Sequence, residues 1–341
     1  MDEINILFLG GGKRVSLAEH FMRAAASLGC KANVLSYELS PYVPISCVGR
    51  VLIGKRWKDA DLLDDLVETI RRERIKVVLP FVDPAIEKLS ELGVHLAQNS
   101  QNLSQLSTLN SQNYGGVFIP ISELGLCRTM FRKDKSAEWF AAHDIPQPKA
   151  VRSEELGVRS SSLFPVIMKP CTGSASMGIK VINNESEWRA VENKESYVIQ
   201  QYIANSKEYT VDCYVSQTGE VISVVPRERL SVAGGEVVNS ITRKDEELIA
   251  LSHKILRSGA FRGPITIQFI RDLDTAWTYV MEINPRAGGG VITSIEAGVD
   301  IPLFILKESL GLPLEPVDDW EDNLLMTRYF KEVIFKNADN Y

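Results

Sequence analysis

Gly263-Pro264-Ile265-Thr266-Ile267-Gln268-Phe269, followed after a short turn by Tyr279-Val280-Met281-Glu282-Ile283-Asn284-Pro285-Arg286, is the pair of segments on which the fold assignment turns. Both alternate apolar with polar residues, the period-two pattern of half-buried strands. With Asp272 to Ala276 as the turn, they predict an antiparallel hairpin. Turn length sets the register: if Arg271 pairs with Trp277, Gln268 stands opposite Val280, one alternation from Glu282. Successive side chains point to opposite faces, so Glu282 and Asn284 share a face, and Gln268 joins them. Three oxygen-bearing side chains then meet between residues that face a core. Oxygen donors without Cys or His suit Mg2+. Glu282 alone is charged, so metal should bind weakly until phosphate oxygens complete the shell. Arg286, just past the strand, is placed to meet a phosphoryl group. The competing reading is a polar hairpin face with a surface arginine.

Further back, Phe164-Pro165-Val166-Ile167-Met168-Lys169-Pro170 leads through Cys171-Thr172-Gly173-Ser174-Ala175-Ser176-Met177-Gly178 into Ile179-Lys180-Val181-Ile182. This reads as strand, small flexible loop, strand. A lysine ending a buried strand is costly to desolvate unless an anion meets it. Glycines and serines in the next turn expose backbone N–H groups that can close over polyphosphate. A loose hairpin whose lysine reaches water explains the segment equally well by itself. The hairpin carrying Gln268, Glu282 and Asn284 tips the balance toward phosphate.

The N-terminal third alternates strand and helix. Ile4 to Leu9 is an apolar run ending at Gly10-Gly11-Gly12. Val15, Ala18, Met22 and Ala25 then recur at helical spacing, with Gly29 as a stop. A second strand is predicted over Ala32 to Tyr37, a helix over Asp61 to Arg72 and a buried strand over Val77 to Phe81. This alternation implies parallel pairing with right-handed crossovers, so the first ~95 residues read as a doubly wound α/β unit. The glycine triplet fits neither common nucleotide fingerprint. Val15 stands where G-x-G-x-x-G needs glycine, and Gly12-Lys13 and Gly54-Lys55 are followed by Arg14 and Arg56 rather than Ser or Thr. A tight strand-to-helix turn is one reading; Gly11 and Gly12 as substrate contacts at a helix N-terminus is the other.

Gln98 to Gly116, crowded with Asn, Gln and Ser, reads mostly as loop. A helix is predicted over Arg132 to Ala142, stopped by Ile145-Pro146-Gln147-Pro148. Strands are predicted over Phe164 to Lys169, Ile179 to Ile182, Tyr197 to Ile203, Tyr209 to Val215 and Val221 to Val225. A helix over Asp245 to Ser258 leads to strands over Ile265 to Arg271 and Trp277 to Ile283, and Leu303 to Leu310 is helical.

Composition narrows the classes. The 341 residues, 45% hydrophobic and 24% charged, suit an ordinary globular chain of two or three packed units. A net charge of -6 gives no overall basic field to gather nucleic acid. Five cysteines without a C-x-x-C pair argue against disulfides and thiolate metal sites, and the four histidines are far apart. Acidic residues ahead of a short apolar run do not make a secretory leader, and no stretch approaches the roughly 18 apolar residues of a membrane span. A cytoplasmic protein without nucleic-acid or membrane partners is expected.

Taken together, these segments resemble the ATP-grasp superfamily, and within it single-unit relatives of the carbamoyl-phosphate synthase large subunit. The resemblance runs along nearly the whole chain in the expected order. It implies an α/β protein, α+β in its C-terminal part: an N-terminal doubly wound pre-ATP-grasp domain over 1–115, then a two-lobed ATP-grasp fold over 116–341, with 150–205 as a small lid. Lys135, in Arg132-Lys133-Asp134-Lys135, is similar to a phosphate-contacting basic residue of that family. Lys169 matches the basic residue ending the first lid strand, and Thr172, Gly173, Ser174 and Gly178 match the glycine-rich lid loop. Val198-Ile199-Gln200-Gln201-Tyr202-Ile203 is similar to the hinge that reads adenine, with Gln201 where glutamate is usual and Ile203 giving backbone contacts. Glu208, seven residues on, matches the ribose-binding glutamate. The metal ligands carry over to Gln268, Glu282 and Asn284, and the phosphate arginine to Arg286, which with Lys169 would be catalytic.

The match also has departures. The carbamoyl-phosphate enzyme has two such units in tandem, where this chain has room for one. Pro226 to Glu236 lacks a histidine that the family carries there, which counts against carbamoyl phosphate as product. Arg227 and Arg229 could instead receive a substrate carboxylate bidentately, or form a surface charge cluster with Glu228. The implied activity is ADP-forming ligation of a small-molecule carboxylate to an amine through an acyl phosphate, using ATP with Mg2+ or Mn2+; a homodimer is a separate expectation that no motif specifies. A phosphotransferase that releases a phosphorylated product remains open. So does a non-catalytic ATP-binding regulatory module, which the neutral Gln201 and Gln268 would suit.

Overall fold

The computed structural model describes residues 2–99, 113–114, 116–158, 163–173, 177–336 and 338. The glycine-rich segment at Ser174 and most of Gln98 to Gly116 lie outside the described residues.

The first sheet is built from β1 (Glu3–Leu9), α1 (Val15–Ser27), β2 (Lys31–Glu38), β3 (Arg50–Ile53), α2 (Leu62–Arg72), β4 (Ile75–Pro80), α3 (Asp83–Asn99), β5 (Asn113–Tyr114) and β6 (Val117–Phe118). Its strand order is β3-β2-β1-β4-β6-β5, parallel except for the β5–β6 pair. Both faces are covered, which is why β1 is almost continuously apolar. Ile4, Ile6 and Phe8 pack with Leu17, Ala18 and Phe21 of α1, while Leu7 and Leu9 pack with Leu66 and Ile70 of α2 and Ile86 and Leu89 of α3. Strand order reverses between β1 and β4, and the turn Gly10-Gly11-Gly12 sits at that crevice, on the carboxyl ends of the strands. Neither β3 nor α3 stands among the sequence expectations. Pro84 and Gly93 read as breakers in α3, but Pro84 falls in the first turn, where no N–H is needed.

Two helices, α4 (Leu124–Phe131) and α5 (Lys133–Ala142), lead to a small antiparallel sheet. It comprises α6 (Ser153–Val158), β7 (Val166–Pro170), β8 (Lys180–Ile182), α7 (Glu185–Arg189) and β9 (Tyr197–Gln201), in strand order β8-β7-β9. Val166, Met168, Ile182, Trp188 and Ile199 form its core.

The third sheet holds the decisive hairpin. Its elements are β10 (Ser206–Val215), β11 (Val221–Ala233), β12 (Glu236–Thr242), α8 (Glu246–Ser258), β13 (Gly263–Asp272), β14 (Thr278–Asn284), α9 (Val291–Glu296), α10 (Ile301–Ser309) and β15 (Leu325–Thr327), with antiparallel order β14-β13-β10-β11-β12-β15. One face is apolar: Tyr209, Val211, Cys213, Ile265, Ile267, Phe269, Val280 and Ile283 pack on Leu248 and Ile255 of α8 and Phe140 of α5. β11 runs on from the expected end at Val225 to Ala233, because Arg227 and Arg229 face the rest of the protein rather than water.

The predicted register of the β13–β14 hairpin is corrected. Gln268 pairs with Glu282 itself, Phe269 pairs with Val280, and Arg271 pairs with Thr278 rather than Trp277. Met281 is the extra residue of a bulge, which turns Val280 into the apolar core while Glu282 keeps the polar face. The turn differs as well: Asp272 Oδ1 accepts the N–H groups of Asp274 and Thr275, and Ala276 takes φ 62°. Alternation alone cannot reveal an inserted residue.

Candidate active site

The β10 segment Glu208-Tyr209-Thr210-Val211-Asp212 alternates polar and apolar, and the sheet it centres does the same across its width. Glu282, Gln268, Thr210 and Arg227 lie abreast on four neighbouring strands. At one end, Gln268 Nε2 donates to Glu282 Oε1 at 2.8 Å, and Asn284 Nδ2 donates to the same oxygen at 2.9 Å. The three expected metal ligands are therefore together. Turning either amide over would present its oxygen to a cation instead. The described residues contain no group of three or more His, Cys, Asp or Glu side chains placed to hold a metal. One carboxylate and two amides fit a hard cation whose shell is completed by ligand oxygens.

The small sheet brings its lysine to this face. Lys169 Nζ donates to Gln200 Oε1 at 3.1 Å. Burial pushes the Lys169 ammonium down from the usual lysine range; the Glu282 and Glu208 carboxylates pull it up, and Lys133 pushes it down. Lys169 thus lies in the field of two carboxylates from the third sheet.

Gln200, rather than Gln201, is the residue that meets Lys169. Gln201 is exposed and pairs with Val166, whereas Gln200 is buried and pairs with Ile167. Period two contains this signal: with Met168 and Ile199 in the core, Lys169 and Gln200 both fall on the other face. Ile203 is buried, and its carbonyl accepts from Ser206 Oγ at 3.2 Å.

Lys135 does not join the group. Its Nζ is exposed and pairs with Glu138 at 3.0 Å, one turn along the outer face of α5. Lys133 instead donates Nζ to Gly173 O at 2.8 Å, and its N–H to Cys171 O at 2.9 Å. Helical spacing carried that distinction, since Lys133 shares a face with the buried Ser136 and Phe140. Thr172 is exposed, and Gly173 (φ 115°) and Gly178 (φ 75°) occupy the left-handed backbone region that glycine tolerates.

The arginines divide by partner. Arg286 donates through Nε (3.0 Å) and Nη2 (2.8 Å) to Asp83 Oδ1 at the start of α3, joining the third sheet to the first. Arg227, only 2% exposed, donates through Nε to Asp212 Oδ2 at 2.7 Å, and Ser294 Oγ donates to the same oxygen at 2.7 Å. Its Nη1 is buried without a hydrogen bond. Arg229 makes a 3.3 Å ion pair with the exposed Glu208. Glu228 points elsewhere, to Lys207 at 3.0 Å and Arg243 at 3.3 Å, so the three residues form no common surface cluster.

Gly11 and Gly12 are corrected as free amide donors. Their N–H groups meet the carboxylate of Glu38, whose pKa burial pushes up and these bonds lower. A Cβ on Gly11 would lie 2.6 Å from Phe8 Cβ, and one on Gly12 3.3 Å from Glu38 Cδ. The triplet is a tight turn closed by the protein's own carboxylate.

Comparison with known proteins bears on the fold. Residues 193–331 match the family described as ATP-grasp in the biosynthetic pathway with Ter operon. The chain is 24% identical over 279 residues to the carbamoyl phosphate synthase large chain of Bifidobacterium longum, covering 74% of this chain and 23% of that one. It is 22% identical over 280 residues to the acetyl-CoA carboxylase of Saccharomyces cerevisiae, covering 77% of this chain and 12% of the other. It therefore spans a quarter or less of these relatives. The biotin carboxylase domain of Hydrogenobacter thermophilus 2-oxoglutarate carboxylase, solved with MgADP, ADP and bicarbonate, superposes with a TM-score of 0.72 at 17% identity, covering 94% of this chain and 73% of that domain. N5-carboxyaminoimidazole synthetase of Staphylococcus aureus gives a TM-score of 0.68 at 18% identity, covering 96% and 84%. No helix among the described residues is long and apolar enough to cross a membrane.

Proposed function

From the premise that the chain carries an ATP-grasp domain, we propose that it is an ADP-forming ligase that joins a small carboxylate to an amine through an acyl phosphate, using ATP and Mg2+. The observation that carries this reading is the convergence of Gln268 and Asn284 on one oxygen of Glu282, with Lys169, hydrogen-bonded to Gln200, in the field of that carboxylate. Residues 1–115 serve in this reading as the pre-ATP-grasp domain and 116–341 as the ATP-grasp domain, with 150–205 as its lid. A homodimer in the cytoplasm is part of the same proposal; the Hydrogenobacter domain is described as a dimer.

Glu282, Asn284 and Gln268 would hold Mg2+, which draws charge from the phosphate oxygens when bound. Lys169, Lys133 and Arg286 supply positive charge where the transferred phosphoryl group gathers negative charge. An oxygen of the acid attacks the γ-phosphorus, the bond to the β–γ bridging oxygen breaks, and ADP leaves with the electron pair. The amine then attacks the acyl carbon, phosphate leaves with the C–O electron pair, and the amine proton passes to water. Lid closure keeps water from the mixed anhydride. In this reading Gln200 and Ile203 would face the base, and Glu208, now paired with Arg229, would meet the ribose.

The test is incubation with Mg2+-ATP, a pool of amino and hydroxy carboxylates and hydroxylamine, reading ADP and hydroxamate. Acid-dependent formation of both, lost in Lys169→Ala, supports the ligase. ADP without hydroxamate favours a phosphotransferase, and ATP binding without either product favours a binding module.

A further inference from the structure

Between the first sheet and the third, beside Arg286, lie two further arginines that the ligase chemistry does not use. Arg14 precedes α1 on the first sheet; Arg328 follows β15 on the third. Both approach Gly289: a Cβ there would lie 3.2 Å from Arg14 Nη1 and 3.1 Å from Arg328 Nη2. A Cβ on the next residue, Gly290, would lie 2.6 Å from Arg227 Nη1, the buried nitrogen without a hydrogen bond. Three guanidinium groups thus border a run of glycines, Gly288-Gly289-Gly290, where side chains are absent.

Arg328 is partly committed, donating Nη1 to Glu236 at 2.5 Å and Nη2 to Gly289 O. Arg14 is not. Among the described residues its guanidinium has Glu236 at 4.0 Å and the Phe81 ring at 5.9 Å, with its side chain 16% exposed. Burial lowers its pKa, Glu236 raises it, and Arg286 and Arg328 lower it, so the three arginines share one field. Glu236 in turn is held down by Arg328, Arg14 and Lys13 against a burial effect that raises it. Three guanidinium groups (Arg14, Arg286, Arg328) therefore face two carboxylates (Glu236 and Asp83), with Lys13 exposed at the edge, leaving an excess of positive charge around the largely buried Arg14. Packing like charges there is unfavourable unless an anion joins them.

Resting on the ligase reading, we propose that the acid activated by this protein is dianionic, its second anionic group held by Arg14 and Arg328 beside Gly289. Arg286 and Lys169 attend the carboxylate that is phosphorylated; Arg14 and Arg328 select for the group that is not. Glu236 is the internal carboxylate against which that group competes. A carboxylate and a phosphate satisfy the same donors, so the second group is defined by its charge.

The experiment is calorimetric titration of the full chain, saturated with Mg2+-ADP, with the dianions succinate and glutarate, with phosphoglycolate, whose phosphate brings a further charge, and, as the monoanion, with butyrate. At least one dianion should bind about ten-fold or more tightly than butyrate, the scale of one charge-assisted hydrogen bond. Arg14→Gln should abolish that preference while leaving ADP affinity and Tm close to wild type, Arg14→Lys should restore part of it, and Glu236→Gln should tighten dianion binding. Tighter binding of phosphoglycolate than of the dicarboxylates assigns a phosphate; the reverse assigns a carboxylate. Butyrate binding as tightly as every dianion, or Arg14→Gln binding dianions like wild type, overturns the proposal. The titration needs no turnover. Dianion preference without acid-dependent ADP release would therefore count against the ligase reading alone.

Discussion

Arg286 grips Asp83 at 2.8 Å, tying the end of the strand that carries Glu282 and Asn284 to the first turn of a helix on another sheet. The pair is largely buried, with side chains 17% and 10% exposed. It fixes where the guanidinium can point and couples two parts of the chain.

The first prediction concerns that tie. Asp83→Asn leaves Arg286 partly buried without its counter-charge and should lower stability by about 1–3 kcal/mol in urea unfolding. Arg286→Ala should lower kcat by about 100-fold or more, the scale of losing one charge-stabilising donor. Equal kcat in Arg286→Ala and wild type would remove Arg286 from the chemistry.

Lys169 gives a pH prediction. Its pKa is lowered chiefly by burial, so its charge is lost at lower pH than an ordinary lysine loses it. Activity that needs the ammonium should fall on the alkaline side as pH rises through that lowered pKa, and Lys169→Arg should move the fall upward. For stability the sign is opposite to a lysine with a raised pKa. Between the lowered folded value and the usual unfolded one, the unfolded chain binds more protons, so stability rises with pH across that window. Lys169→Met should flatten this rise in thermal melts taken as a function of pH.

The metal group should be tunable by charge. Glu282 is its sole carboxylate, so Glu282→Ala should abolish Mn2+ binding in the presence of ADP, read by electron paramagnetic resonance. Gln268→Glu adds a second carboxylate beside the first and should tighten Mn2+ by about ten-fold. Chelation by EDTA should stop ADP release, and added Mg2+ should restore it.

Neighbouring lysines and glutamines should separate cleanly. Lys135 sits in an exposed pair with Glu138, so Lys135→Ala should change stability by no more than about 0.5 kcal/mol and leave KM for ATP unaltered. Lys133→Ala removes the contact with Gly173 and should raise that KM about ten-fold. Gln200→Ala should weaken ATP similarly, and Gln201→Ala should not.

The same contrast shows what the sequence reveals and what it hides. Glu282, Asn284 and Gln268 are readable together because strand alternation is local and their chemistry is distinctive. Lys169 is readable because a charged residue ends an apolar strand. The choice between Lys133 and Lys135, or Gln200 and Gln201, needs the phase of the period, which is fixed by buried Phe140 and Ile199. The bulge at Met281 has no periodic signature at all. Asp83 as the partner of Arg286, and Glu38 as the acceptor for Gly11 and Gly12, join residues distant in sequence, so only the folded chain reveals them. β11 stayed hidden past Val225 because its arginines face a polar interior instead of an apolar one.

The most direct measurement uses an acid that supports ADP release, labelled with 18O in its carboxylate, and mass analysis of the phosphate formed. An acyl phosphate intermediate predicts inorganic phosphate carrying one 18O from the acid, with the transfer lost in Lys169→Ala. Unlabelled phosphate formed together with amide product would contradict the account, since the acid would then never have been joined to the γ-phosphoryl group.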